Sequence, residues 1–95
     1  MIVIADTTPV NYLVLIEAAD LLPRLFGQVL IPPAVLAELK DPETPSQVRA
    51  WLANTPSWLR VQTLRFQPGP ELDYLDAGER EAIALAEELK ADQIL

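Results

Sequence analysis

The chain opens on a run of apolar and β-branched residues, Ile2-Val3-Ile4-Ala5, that stops at a single acid, Asp6. A run without polar alternation has the pattern of a strand covered on both faces, as in a parallel sheet. Asp6-Thr7-Thr8-Pro9 then supplies capping side chains and a proline, the residues that open a helix. A helix is expected over about residues 10–19, followed by a second short helical stretch that ends near Gly27. The pattern returns to strand over 28–31, and Pro32-Pro33 starts a helix that runs to about Lys40. Asp41-Pro42-Glu43-Thr44-Pro45 is a cluster of turn formers. Helix formers fill 46–54, and residues 58–64 alternate as a half-buried or edge strand. Residues 65–74 form a loop rich in proline and glycine, 77–91 form the strongest helical pattern in the chain, and 92–95 read as the first half of another strand.

Strands separated by helices imply an α/β fold, with a mainly parallel sheet and helices on its faces. In such sheets, sites form outside the carboxyl ends of the strands, and this sorts the acids. Asp6 ends the first strand, Glu38 lies in the helix that leaves the second, and Glu79 begins the helix before the last strand. Asp92 starts its strand, on the opposite rim, and is expected to be a junction residue.

Composition narrows the chemistry. At 95 residues the chain is a single small domain, and without cysteine or histidine it excludes disulfides, zinc fingers and Ser-His-Asp or Cys-His catalysis. Any metal must be held by oxygen. No signal-peptide pattern or membrane-length apolar run is present, so the expected location is the cytoplasm. The net charge of −7 is a poor match to a polyanion, unless carboxylates converge on divalent cations that invert the local field.

Helical phase ranks the acids of Gly78-Glu79-Arg80-Glu81. At about 100° per residue, Ala82, Ile83, Leu85, Ala86 and Leu89 define an apolar face, to which Glu79 lies closer than Glu81. Glu79 is therefore expected to point inward, as a site residue or as an acid complementing the helix dipole. Glu81 then reads as a solvated edge residue, and Glu38 by spacing alone as a surface acid. Asp6 reads as an N-cap, a metal ligand, or both. The missing Asp-x-Asp after the first strand argues against a haloacid-dehalogenase-like phosphatase, and the absence of a phosphoacceptor after Val29-Leu30-Ile31 argues against a receiver domain.

Three collinear stretches carry a resemblance: residues 2–13 around Ile4-Ala5-Asp6-Thr7, residues 29–39 around Ile31-Pro32-Pro33 and Glu38, and residues 75–86 around Gly78-Glu79-Arg80-Glu81-Ala82. Together they resemble a VapC-like toxin branch of the PIN-domain family. The resemblance implies a three-layer α/β/α sandwich and a Mg²⁺- or Mn²⁺-dependent endoribonuclease of a toxin–antitoxin system, with an antitoxin protein as partner and often a homodimer. It makes Asp6, Glu38 and Glu79 the catalytic and metal-binding acids, with Thr7 and Asn11 as their polar supports. The Gly-Glu-x-Glu-Ala stretch is also similar to flap-endonuclease-like nucleases, which adds Glu81 as a metal candidate.

Magnesium prefers octahedral oxygen ligands and keeps several waters, so a few carboxylates suffice for this chemistry. Members of the family continue beyond the equivalent of Leu95 into a strand that ends in further acids. The expectation is thus a domain over 1–95 truncated before its final acidic strand, with an open sheet edge that favours dimerisation. The alternative reading is a non-catalytic PIN-like fragment that acts as a partner-binding or dimerisation module.

Overall fold

The computed structural model describes residues 1–95. Its elements are β1 (Val3–Ile4), α1 (Thr7–Leu15), α2 (Leu21–Phe26), β2 (Val29–Ile31), α3 (Pro33–Leu39), α4 (Ser46–Ala53), β3 (Leu59–Val61), α5 (Ala77–Leu89) and β4 (Gln93–Ile94), with a 3-10 turn at Pro70–Leu72. Their order follows the expected alternation, and only the ends differ. α1 starts at Thr7, three residues sooner than expected, because the Asp6 carboxylate caps it and brings Thr7, Thr8 and Pro9 into the first turn. It also stops early. Glu17 adopts a left-handed φ of 59°, and the Ala18 N–H closes the turn on the Leu13 carbonyl at 2.7 Å. β3 pairs over three residues rather than the expected seven, after which the chain leaves the sheet.

The sheet runs β3-β2-β1-β4, and every pairing is parallel, with Ile4 opposite Leu30 and Ile94, and Leu30 opposite Arg60. Side chains alternate across it. Val3, Ala5, Val29 and Ile31 face one way and pack with Val10 and Val14 of α1, Leu22 of α2, Val35 and Leu39 of α3, and Val48 and Leu52 of α4. Ile4 faces the other way, against Ala82, Leu85 and Ala86 of α5, with Leu30 alongside. The architecture is a three-layer α/β/α sandwich. Trp51 and Trp58, with centroids 6.0 Å apart and planes tilted by 50°, fasten α4 to the segment entering β3.

Parallel pairing places the carboxyl ends of β1, β2 and β4 on one rim. There the Asp6 N–H donates to the Leu95 carbonyl at 3.1 Å and the Ala5 N–H to the Leu30 carbonyl at 3.0 Å, so both flanking strands fix the backbone on which Asp6 stands. Asp92 occupies the opposite rim, as expected. Its carboxylate accepts from the Ile2 N–H at 2.6 Å and its own N–H donates to the Ile2 carbonyl at 2.7 Å. No helix is long and apolar enough to cross a membrane.

Candidate active site

Asp6 leaves β1 in an extended conformation and is half-buried. Its Oδ1 accepts from the Thr7 N–H at 2.7 Å, which fixes the side chain over the start of α1. The capping and candidate-ligand readings of this residue are compatible, since one oxygen is used locally and the second takes no hydrogen bond from the protein.

Glu38 is not the surface acid its spacing suggests. It is half-buried near the end of α3 and reaches two other elements: the Thr7 hydroxyl of α1 donates to its Oε2, and the Gly78 N–H of α5 donates to its Oε1 at 3.0 Å. The last turn of α3 is itself tied down by the Thr44 hydroxyl, which donates to the Glu38 carbonyl at 2.6 Å. Gly78 makes the approach possible. A Cβ there would lie 2.6–2.7 Å from the Glu38 carboxylate oxygens, closer than any real contact, so only a residue without a side chain lets the carboxylate reach this amide.

At the start of α5, Asp76 is the N-cap, and its Oδ1 accepts from the Glu79 N–H at 2.9 Å. The phase expectation for the two glutamates is corrected. Glu79 is exposed, whereas Glu81 is half-buried with Oε1 accepting from the Ala34 N–H at 2.9 Å, where it caps the first turn of α3. Two residues shift the packed face. Ile83, counted as apolar, is only half-buried, while Gly78, which has no side chain to count, is buried; the face therefore recentres away from Glu79, and α3 covers the flank that carries Glu81. With this carboxylate oxygen committed to a backbone amide, Glu81 has a structural role that the sequence did not suggest.

Glu79 still belongs to the acidic rim electrostatically. Its carboxyl is raised above the usual value, chiefly by the charge of Asp76, with further repulsion from Asp6 and Glu38. The Asp6 carboxyl is also raised, first by burial, then by repulsion from Asp76 and Glu38, against a lowering pull from the Thr7 N–H. Asp76 is thus the acid that sequence reasoning passed over. The available signal was its place directly before Ala77-Gly78-Glu79, as a capping aspartate three residues ahead of an acid. Asn11, one turn beyond Thr7 on α1, is half-buried with its Oδ1 shielded and unpartnered, and with Glu38 it borders a polar cavity of about 310 Å³.

The donor set suits a hard divalent cation in kind. The acids are oxygen ligands that repel one another, and the shielded Asn11 oxygen is an acceptor with nothing to accept from. No three of them converge closely enough to hold one ion between them. An ion here would take one or two protein carboxylates, Asp6 and Glu38 foremost, and complete its shell with water.

The two glutamates of α5 should separate cleanly on substitution. Glu81→Ala should destabilise the fold by about 1 kcal/mol, because the α3 amide it caps loses its partner. Glu79→Ala should be nearly silent in thermal melts, because the exposed side chain makes no hydrogen bond that holds a second element. Equal destabilisation by both would refute the division.

Neither a curated protein nor a solved structure gave a match to this chain. A family model described as a PIN domain matches residues 2–95, which takes in β1 with Asp6, α3 with Glu38 and α5 with Glu79. Over nearly its whole length, therefore, the chain belongs to the PIN-domain family, a family of nucleases.

Proposed function

We propose that this domain is a Mg²⁺- or Mn²⁺-dependent endoribonuclease of the cytoplasm, the toxin of a toxin–antitoxin pair in the VapC-like branch. The observation that carries the reading is mutual repulsion at the carboxyl rim. Asp6, Glu38, Asp76 and Glu79 come from three separate segments; Glu79 is raised chiefly by the charge of Asp76 and Asp6 by burial and then by Asp76 and Glu38, with no basic side chain offsetting them. Asp6, Glu38 and Glu79 would hold the ion, as direct ligands or through its waters. When bound, it would polarise a scissile phosphodiester and lower the pKa of an attacking water. The chain's own part is orientation: the Thr7 hydroxyl and the Gly78 N–H aim the Glu38 carboxylate, the Thr7 N–H aims Asp6, and Asn11 offers its amide to an adjoining water.

Cleavage of a single-stranded RNA in Mn²⁺, abolished by chelator and by Asp6→Asn, tests the proposal. Cleavage that is indifferent to both would overturn it. The partner we propose is a basic antitoxin. It would meet the −7 charge of this chain and cover exposed apolar side chains of α1 and α2, among which Tyr12 is 62% and Leu25 67% exposed. Homodimerisation belongs to the same reading, and light scattering of the chain alone and with a basic partner measures both.

The second reading, a non-catalytic partner-binding or dimerisation module, is favoured by one observation, the lack of three converging carboxylates. It expects partner binding without any dependence on divalent ions.

A pH dependence distinguishes the two. Because Asp6 titrates above 3.8 in the folded state, the fold keeps a proton that the unfolded chain has already released, and stability falls as the pH rises through that window. At neutral pH the fold carries the full repulsion, which a bound cation relieves. Mn²⁺ should therefore raise the melting temperature at pH 7, and the increment should fade as the pH falls through the raised titration of Asp6. A pH-independent increment would mean that the ion binds elsewhere.

A further inference from the structure

Phe66 has no part in the core or in the acidic site. It is 70% exposed in the segment between β3 and the 3-10 turn, and the Arg65 guanidinium lies 5.8 Å from its ring centroid. The segment is held in place: Glu88 of α5 accepts from both the Arg65 and the Phe66 N–H groups, at 2.8 and 3.2 Å, through a single carboxylate oxygen. A large apolar side chain is thus presented to solvent on an anchored backbone.

Two cavities flank the ring. One, of about 390 Å³, has walls of mixed character, with Leu72 and Ala84 beside Gln67, Glu71 and Glu87. The other, of about 170 Å³, extends from Phe66 to Pro33 and Glu81, the pair of elements whose next residues build the acidic rim. Glu81 lies two residues beyond Glu79 on α5, and Pro33 lies five before Glu38 on α3, a helical rise of roughly 8 Å.

We infer that Phe66, backed by Arg65, is a stacking platform for one unpaired nucleobase of a single-stranded RNA that runs along this rim to the acids. The inference rests on the ribonuclease reading for its ligand. A nucleobase has an apolar face and a hydrogen-bonding edge, which matches an exposed ring beside a cavity that offers both Leu72 and Ala84 and the acceptors of Gln67, Glu71 and Glu87. Glu71 and Glu87 accept N–H groups from a base edge and repel phosphate, so the backbone stays outside the cavity, on the side of the Arg65 charge. Stacking also supplies affinity that does not depend on net charge, which a chain of −7 needs in order to hold a polyanion.

The test uses the 95-residue chain and a labelled single-stranded RNA octamer in chelator, where binding is read by fluorescence anisotropy without cleavage. Phe66→Ala should weaken binding roughly tenfold, while Phe66→Trp should retain or strengthen it, and a duplex of the same sequence should not respond to either change. Equal affinity of Phe66→Ala and the parent chain, or a Trp variant as weak as Ala, overturns the platform. A parallel cleavage assay in Mn²⁺ separates this from the reading beneath it. RNA cut normally with no effect of Phe66→Ala on binding rejects the platform and keeps the nuclease; binding that depends on Phe66 without any cleavage does the reverse.

Discussion

Asp6→Asn is expected to abolish Mn²⁺ binding and RNA cleavage while leaving the fold intact. Asparagine caps a helix as well as aspartate does, so the bond to the Thr7 N–H survives the change. What disappears is the charge that burial and the neighbouring acids already strain, so the melting temperature at pH 7 should stay level or rise slightly. Replacing groups that merely support a metal ligand costs roughly 10- to 100-fold in affinity, and removing a central charge should cost at least about that much. Calorimetry with Mn²⁺ on both forms gives the answer. Unchanged affinity at an unchanged melting temperature would remove Asp6 from the site.

Gly78→Ala should have an effect of similar size from a residue that carries no functional group. Alanine is the better helix former by up to about 1 kcal/mol, and the backbone there does not need a left-handed conformation. The added methyl would nevertheless occupy the place of the Glu38 carboxylate, which would have to swing away and release both the Gly78 N–H and the Thr7 hydroxyl. Losing a hydrogen bond to a charged group costs about 1.5–3 kcal/mol, partly offset by the helix preference, so the melting temperature should fall only modestly. Metal affinity should fall roughly 10- to 100-fold, as for loss of a ligand-orienting contact. A variant that binds Mn²⁺ like the parent chain would show that Glu38 works without this contact. Glu38→Gln, which keeps the shape and removes the charge, then tells whether Glu38 is a ligand at all.

Much of this protein is set by local sequence. The apolar run before Asp6, the Pro32-Pro33 start of α3 and the apolar stripe of α5 each specify an element through its period and its ends, and the alternation of those elements implies a parallel sheet. Asp6 was legible for the same reason, because the end of a parallel strand is a position that can be counted along the chain. The remainder depended on how close the backbones come. Glu38 looked like a surface acid until α3 and α5 packed with Gly78 between them. The burial of Glu79 and Glu81 is the reverse of that expected from phase, because α3 covers one flank of α5 and a buried glycine adds nothing to a hydrophobic pattern. Asp76 joins the rim only because α5 begins beside the end of β1. Periodicity measures which side of a helix is apolar, whereas the position of a carboxylate among its neighbours is decided by contacts between segments about 30–50 residues apart in the chain, and those exist only once the sheet has brought the strand ends to one rim.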